Sequence, residues 1–216
     1  VVGRTSPRVA VVDYGAGNLR SVGKALERSG LRADVCRDPA CLRDADGVVL
    51  PGVGAFADAA ISLRDKGLDQ AVMAAIDDGR PYLGLCLGLQ LLFEESDEHG
   101  STPGFGLLPG RIERFAERDE DGGILRVPHI GWNSVRFEGS HPMLKGLPAE
   151  DCFYFVHSYR AVPRDSSHVV GLADYGGPFA AAVAKGSAFA VQFHPEKSQS
   201  SGKRLLDAYS DWIASC

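Results

Sequence analysis

The stretch YLGLCLGLQ, residues 82–90, predicts a buried strand that turns sharply into a helix. Residues 82–85 are apolar, as in a strand covered on both faces, and residues 87–95 have the pattern of a following helix. Between them Cys86 stands in a G-x-C-x-G element, the counterpart of the G-x-S-x-G nucleophile elbow. Glycines suit this turn because it strains the central residue and brings backbone segments close together. The pattern predicts a thiol held outward at the end of a strand.

Outward from this elbow, strands and helices alternate through the first half of the chain. Residues 8–13, 33–36 and 47–50 read as strands, and residues 19–29 and 57–78 read as helices. This alternation predicts an α/β fold with a mostly parallel central sheet. The second half of the chain consists of shorter segments. They predict a last strand at 188–193, a last helix at 202–213 and, before these, additional antiparallel strands at 110–115, 124–127, 134–137, 153–156 and 169–173.

Length and composition set the class of protein. The 216 residues suit a single domain, 1–216, in which residues 1–7 are expected to be a flexible lead. A net charge of −5 argues against nucleic-acid binding, and the chain lacks the long apolar run of a membrane span. The cytoplasm is the expected compartment. The five cysteines are odd in number and have no CxxC spacing, so neither a disulfide framework nor a metal site is expected, and most should be buried thiols.

The position of Cys86 before a helix favours its chemistry. The positive end of the helix dipole and the free N–H groups stabilise a thiolate, which is the nucleophilic form. The same N–H groups, with that of Leu87 nearest, can hold the oxyanion formed when a carbonyl is attacked. Taken alone, however, Cys86 is equally a small buried residue in a glycine-rich turn.

The sequence QFHPE, residues 192–196, supplies a candidate base more than 100 residues downstream. On an extended segment His194 and Glu196 would share one face, so that the carboxylate accepts the imidazole N–H and orients the ring. A lone histidine after a strand is more often structural than catalytic. Together with Cys86, these residues have the logic of a thiol nucleophile with an oriented base.

The sequence resembles the triad, or class I, glutamine amidotransferases. The similarity lies in GLCLGLQ at 84–90 and HPEKS at 194–198, and it extends over nearly the whole chain through DYGAGNL at 13–19, LPGVGAF at 50–56, PHIGWN at 128–133 and YFVHSY at 154–159. The resemblance implies a flavodoxin-like fold and hydrolysis of glutamine to glutamate and ammonia through a γ-glutamyl thioester on Cys86. It implies no metal or organic cofactor. Leu89 departs from the family pattern, in which Met is common.

The resemblance also implies further site residues. Gly52 and Val53 would supply oxyanion N–H groups, with Gly54 in the same loop, and Gln90, one helical turn beyond Cys86, would reach the substrate. His157, Ser158 and Tyr159 would hold the substrate backbone. Three residues would face a partner in a heterodimer, a (β/α)₈-barrel cyclase that consumes the ammonia in histidine biosynthesis: Asn18, Trp132 and Tyr159.

Three alternatives are kept beside this hypothesis. A glutaminase of the same family could serve another synthase, making pyridoxal phosphate, anthranilate or guanylate. A catalytically silent subunit could retain the fold to bind and regulate a synthase, although Cys86, His194 and Glu196 are intact. A cysteine peptidase or other acyl hydrolase on a similar fold is the third, and no peptide-cleft signature supports it.

Overall fold

Continuous apolar runs build four of the five strands in the parallel half of the central sheet, and the edge strand, RADVC, is the exception. The structure, a computed structural model, describes residues 6–118 and 122–216. Five parallel strands lie in the order β2-β1-β3-β4-β13. Their bounds are Arg32–Cys36 for β2, Arg8–Val12 for β1, Gly47–Gly52 for β3, Tyr82–Cys86 for β4 and Ala188–Val191 for β13.

Helices cover both faces of the four inner strands, which explains why those runs are apolar without alternation. The helices are α1 (Leu19–Arg28), α2 (Phe56–Asp65), α3 (Leu68–Asp77), the short α4 (Leu87–Gln90) and α5 (Gln199–Ala214). Val9 and Val11 of β1 lie in the core that includes α1 and α5, whereas Ala10 and Val12 lie in the core that includes α2 and α3. The predicted α/β fold with a parallel centre is therefore confirmed.

Antiparallel strands extend the sheet beyond β13. The extension runs β13-β12-β10-β7-β5-β6, with a branch in which β12 pairs with β11, β11 with β8 and β8 with β9. Only β5 and β7 are parallel there. The bounds are Phe93–Ser96 (β5), Thr102–Pro103 (β6), Leu108–Arg114 (β7), His129–Phe137 (β8), Glu150–His157 (β9), Tyr159–Pro163 (β10), Val169–Asp174 (β11) and Pro178–Lys185 (β12).

Two predicted helices are corrected. The helix predicted over 57–78 is two helices, because Gly67 adopts a left-handed conformation with φ 64° between α2 and α3. The helix predicted over 87–95 stops at Gln90, and residues 93–96 form β5 instead. Phe93 and Ser96 pair with Leu108 and Ile112 of β7, so tertiary pairing overrides the local helical pattern.

Two further expectations were wrong. Residues 124–127 form no strand, and Ile124 makes only an isolated bridge with Arg118. Cys36 and Cys41 form a disulfide with Cα atoms 5.5 Å apart, whereas the sequence predicted thiols. Cys36 ends β2 and Cys41 lies on the 3-10 turn Pro39–Leu42 that folds back toward it, a proximity that spacing alone does not reveal. Cys152 and Cys216 are exposed free thiols, and Cys86 is buried.

The sequence also predicted a flexible lead at residues 1–7 and no membrane-spanning segment. Residues 1–5 of the predicted lead lie outside the described residues, and the Pro7 carbonyl accepts a hydrogen bond of 2.9 Å from the Arg32 amide. No helix within 6–118 or 122–216 has the length and apolar character needed to cross a membrane. The strand ends that matter for function are those of β3, β4 and β13, which meet at one edge of the sheet.

Candidate active site

The predicted elbow at Cys86 is present, and its backbone is strained. Cys86 ends β4 and precedes α4, with φ 53° and ψ −102°, a conformation that costs a non-glycine residue about 1–3 kcal/mol. The flanking glycines make the turn possible. A Cβ on Gly88 would lie 2.0 Å from the Leu50 carbonyl oxygen, and a Cβ on Gly84 would lie 2.6 Å from the Gly88 oxygen. The surrounding backbone thus fixes where the thiol points.

His194 lines the cavity at Cys86 because β13 lies beside β4, with Val191 paired to Leu85. His194 Nδ1 is 2.9 Å from Glu196 Oε1, and the two side chains are only 4% and 3% exposed. The expected extended segment was wrong. His194 is extended, but Pro195–Lys197 forms a 3-10 turn that returns the carboxylate to the ring. The predicted contact therefore forms through a turn.

The hydrogen bond to Glu196 sets the tautomer of His194. A carboxylate only accepts, so Nδ1 carries a hydrogen and Nε2 is the nitrogen left to exchange a proton. Burial lowers the pKa of His194, but hydrogen bonds to Cys86 and Glu196 and their charges raise it to about 10. Within the described residues Glu196 Oε2 is buried without a hydrogen-bond partner. The carboxylate is thus directed to the imidazole alone.

The loop after β3 approaches the elbow closely. Gly52 is in register with Cys86, and a Cβ on Gly52 would lie 2.5 Å from Leu87 Cβ and 2.9 Å from the Tyr14 hydroxyl oxygen. Burial raises the pKa of Tyr14 to about 12, so this phenol stays neutral. Gly54 has φ 91°, which other residues rarely adopt. Glycine is therefore required on steric grounds at 52 and on conformational grounds at 54.

A cavity of about 450 Å³ opens at the elbow. Its walls include all but one of the residues expected to bind substrate, the exception being Gly52, and they add two charged residues that the sequence analysis did not assign, Glu98 and Lys197. The full lining is Val53, Gly54, Cys86, Leu87, Gln90, Glu98, Pro128, Val156, His157, Ser158, Tyr159, His194 and Lys197. Across the described ranges, no three His, Cys, Asp or Glu side chains cluster as metal ligands.

Comparison with known proteins identifies the family. The model of the family "Glutamine amidotransferase class-I" matches residues 10–208. The chain belongs to this family. Among its relatives is the imidazole glycerol phosphate synthase subunit HisH of Methylococcus capsulatus, 50% identical over 94% of this chain and 96% of the relative. The HisH subunit of Syntrophotalea carbinolica is 48% identical over 94% of this chain and 99% of the relative.

Solved structures support the amidotransferase fold. PurLQS from Thermotoga maritima aligns with a TM-score of 0.76 at 22% identity, covering 96% of this chain and 99% of that chain. A glutamine amidotransferase, also from Thermotoga maritima, aligns with a TM-score of 0.63 at 19% identity, covering 99% of this chain and 86% of that one. At such identities the similarity concerns the fold alone.

In the amidotransferase, Gln90 lies in the cavity wall and also makes contacts that the sequence did not predict. Gln90 lines the cavity, but its Nε2 donates to the Tyr159 carbonyl and to Gln192 Oε1, each at 3.2 Å. Gln192 in turn donates from Nε2 to Cys86 Sγ at 3.4 Å. Gln192 stands in the quoted QFHPE motif, yet its role was missed because a contact across 106 residues leaves no local signal.

Glu98 is a second missed residue of the amidotransferase. Its Oε2 accepts a hydrogen bond of 2.7 Å from the Phe56 amide, at the start of α2. Ala55, the residue before α2, offers no side-chain cap, so Glu98 satisfies a helix N–H group that would otherwise be free. It thereby anchors the start of α2, where the loop that follows β3 ends. In the sequence Glu98 stands in the charged run EESDEH, which reads as a solvated surface.

The three residues expected to face a partner lie in different settings. Trp132 is 48% exposed and packs edge-on against Tyr154 at 6.1 Å, while Lys197 lies 6.0 Å above the Tyr154 ring. Asn18 caps α1 by accepting a hydrogen bond from the Ser21 amide at 3.4 Å. Tyr159 is partly buried in the cavity wall. The Tyr154 ring therefore joins the exposed Trp132 to Lys197 of the cavity wall.

Proposed function

We propose that this chain is the glutaminase subunit of an imidazole glycerol phosphate synthase, with Cys86 as nucleophile, His194 as acid and base, and Glu196 as the group that orients His194. Family membership makes it an amidotransferase, and the relatives named HisH indicate which synthase it serves. One observation carries the proposal for the residues. The buried His194–Glu196 pair lies at the strained Cys86 elbow, and both Cys86 and His194 line one cavity.

In the first half-reaction the Cys86 thiolate attacks the carboxamide carbon of glutamine. The protonated His194 donates its Nε2 proton to the amide nitrogen, the carbon–nitrogen bond breaks, and ammonia leaves a γ-glutamyl thioester on Cys86. The raised pKa of His194 favours this role because the imidazolium is available at neutral pH. Glu196 stabilises the imidazolium through the 2.9 Å hydrogen bond.

In the second half-reaction neutral His194 removes a proton from water. The resulting hydroxide adds to the thioester carbonyl and the carbon–sulfur bond breaks, which leaves Cys86 again a thiolate and His194 again protonated. The new γ-carboxylic acid releases its proton to solvent, and glutamate leaves. Both additions place negative charge on the carbonyl oxygen. The N–H groups of Leu87, Gly52 and Val53 are proposed to stabilise that charge, and one such donor is typically worth about 10²–10³ in rate.

Charge and shape in the cavity suit a glutamine zwitterion. Glu98 offers a carboxylate to the α-ammonium group, and Lys197 offers an ammonium group to the α-carboxylate. Ser158, Tyr159, His157, Gln90 and Gly54 complete the substrate-facing wall. No organic cofactor or metal takes part in the proposed steps.

The ammonia is proposed to pass to a cyclase, a (β/α)₈ barrel, in a cytoplasmic heterodimer. By the family resemblance, that cyclase converts phosphoribulosyl-formimino-AICAR phosphate to imidazole glycerol phosphate and AICAR. Asn18, Trp132 and Tyr159 are proposed to contact it. Trp132 supports this because a half-exposed tryptophan that shares the Tyr154 ring with Lys197 of the cavity wall is a typical interface anchor.

The proposal is tested with Cys86→Ala in the complex with the cyclase. We expect loss of glutamine-dependent synthesis with full synthesis from added ammonia, since the variant lacks only the nucleophile. Cys152→Ala is the matched control, because Cys152 is an exposed free thiol outside the cavity. It should leave both activities unchanged. Glutamine-dependent turnover by Cys86→Ala would contradict the assignment of the nucleophile.

A further inference from the structure

A buried glutamine lies against the sulfur of Cys86, and the proposed mechanism does not use it. Gln192 follows β13, its side chain is fully buried, and its Nε2 is 3.4 Å from Cys86 Sγ. Its Oε1 accepts a hydrogen bond of 3.2 Å from Gln90 Nε2. His194 lines the same cavity as Cys86. Gln192 is therefore a hydrogen-bond donor to the nucleophile from a buried position beside its proposed base.

The orientation of the Gln192 amide follows from its neighbours. The Tyr159 carbonyl can only accept, so the atom of Gln90 that faces it at 3.2 Å must be the amide nitrogen. The second hydrogen of that nitrogen points at Gln192, which must present its oxygen there. The remaining end of Gln192, its NH₂ group, then faces Cys86. These hydrogen bonds thus determine that the amide N–H of Gln192, and not its carbonyl oxygen, contacts the Cys86 sulfur.

Two buried histidines continue this series of hydrogen bonds beyond the Tyr159 carbonyl, which accepts from His157 as well as from Gln90. His157 Nδ1 is 2.8 Å from the Tyr159 carbonyl and must carry a hydrogen, which leaves His157 Nε2 as an acceptor. His129 Nδ1 lies 3.0 Å from that nitrogen and is the donor. His129 Nε2 then accepts from Asn133 Nδ2 at 3.4 Å. All the bonds have consistent directions from Asn133 to the Tyr159 carbonyl.

This pattern requires both histidines to be neutral, and their surroundings provide that. Burial lowers the pKa of His129 to about 4, and burial also lowers the pKa of His157 to about 3. Aromatic rings enclose the pair: His129 stacks on Tyr175 with centroids 4.0 Å apart, and Phe115 lies 5.2 Å from His157. The imidazoles therefore have little freedom to reorient.

We propose that Gln192 is a further catalytic residue, whose amide N–H donates to the Cys86 thiolate and releases it as the sulfur attacks, and that His129 and His157 position Gln192 through the Tyr159 carbonyl and Gln90. The bond is strongest when the sulfur is anionic, before attack and after thioester hydrolysis, and weakest when the sulfur is acylated. No proton moves along this series of hydrogen bonds. The inference rests on the proposed role of Cys86 as nucleophile.

The test measures the sulfur directly in the full chain bound to its cyclase. The rate of Cys86 alkylation by iodoacetamide is followed against pH, and kcat and KM for glutamine are measured alongside. In Gln192→Met we expect the midpoint of the alkylation profile to rise by about one pH unit, because the thiolate loses a charge-assisted hydrogen bond. At a fixed pH below the midpoint this is about tenfold less thiolate. We expect kcat to fall about tenfold with KM changed less than about twofold.

Two variants make the outcome decisive. Gln192→Glu differs from the native residue by one atom and places a carboxylate beside the sulfur, so its midpoint should rise further than that of Gln192→Met; it serves alone if the methionine variant fails to fold. Gln70→Met, in an exposed position of α3, is the matched control and should change nothing. Alkylation profiles of both Gln192 variants that superimpose on that of the native protein would overturn the role of Gln192. This outcome is independent of Cys86→Ala, which tests the nucleophile itself.

The histidine pair is tested by a rescue. His129→Leu removes the donor to His157 and should raise the alkylation midpoint by a smaller amount than Gln192→Met. The effect is smaller because His129 acts on Gln192 through three intervening groups, the His157 ring, the Tyr159 carbonyl and the Gln90 amide. His129→Asn keeps an amide nitrogen near the position of Nδ1 and should restore the native profile. Equal profiles for the leucine and asparagine variants would overturn the positioning role, because a purely structural histidine would not distinguish a donor from an apolar side chain.

Discussion

Replacing Glu196 by glutamine changes one atom of the buried pair and tests its electrostatic role. If the amide oxygen keeps the 2.9 Å contact with His194, the bond loses its charge. A charge-assisted bond contributes about 1.5–3 kcal/mol and a neutral one about 0.5–1.5, so the imidazolium loses about 1–2 kcal/mol of stabilisation. This corresponds to roughly a 5- to 30-fold fall in kcat. If the amide instead turns its NH₂ group to Nδ1, the tautomer changes and the fall approaches about 10⁴.

The same substitution lowers the free energy of unfolding. In the first orientation the new NH₂ group takes the place of Glu196 Oε2, which has no hydrogen-bond partner in the described parts of the chain. A buried donor without a partner costs about 1–3 kcal/mol. Native stability also gains from the raised pKa of His194, a gain fully present below its unfolded value of about 6.5 and lost as the pH rises through about 10. The deficit of Glu196→Gln should therefore be larger at about pH 6 than at about pH 10.

The assay measures glutamate release by the complex and urea unfolding of the free chain at about pH 6 and pH 10. Glu138→Gln is the matched control, because Glu138 is 58% exposed in a surface ion pair with Arg136 that should contribute at most about 1 kcal/mol. We expect at least a fivefold loss of kcat for Glu196→Gln alone. A kcat within twofold of the native value, together with a stability deficit that does not change with pH, would refute the role given to Glu196.

Three other substitutions test separate parts of the structure. Gly52→Ala should reduce glutaminase activity by about 10²-fold or more, because its Cβ would lie 2.5 Å from Leu87 Cβ and displace the oxyanion loop; Gly23→Ala in α1, with 3.9 Å to its nearest neighbour, should leave steady-state kinetics unchanged. Trp132→Ala should weaken cyclase binding by about 2 kcal/mol or more in calorimetry while the free chain unfolds within about 0.5 kcal/mol of the native value, and unchanged affinity would exclude Trp132 as an anchor. Tyr209→Phe should lower the free energy of unfolding by about 1–3 kcal/mol in urea titration, since the single hydrogen of its hydroxyl is shared between two buried carbonyl oxygens, and native-like stability would show that this shared bond contributes nothing.

The sequence predicted the parallel half of the sheet and the residues that gather at its edge because both depend on short-range signals. Apolar runs predict β1, β3 and β4. The glycines at 84 and 88 predict the elbow because the turn leaves no space for a Cβ at either position. The sequence failed where pairing between distant segments decides the outcome. β5 replaces a predicted helix because it pairs with β7, and the Cys36–Cys41 disulfide depends on the fold-back of a 3-10 turn.

The same distinction explains which site residues were found. His194 and Glu196 could be assigned because they are neighbours along the chain, with only Pro195 between them, although the 3-10 turn that joins them was not foreseen. Glu98 and Gln192 could not be assigned. Each acts through a contact with a distant segment, Glu98 with the Phe56 amide and Gln192 with the Cys86 sulfur. A charged loop and a polar residue after a strand are common enough that neither indicates a function.

The register of three neighbouring strands determines the geometry of the site. Gly52 pairs with Cys86 across β3 and β4, and Val191 pairs with Leu85 across β4 and β13. Side chains alternate between the faces of a sheet, so a one-residue shift of either pair would move the oxyanion loop or the histidine away from the sulfur. The Tyr209 hydroxyl shares its hydrogen between the carbonyls of Val48, near the start of β3, and Pro81, just before β4, far along both strands from the catalytic edge. Tyr209→Phe should therefore reduce stability without changing kcat, because the register at the catalytic edge is held independently by the ladder between β3, β4 and β13.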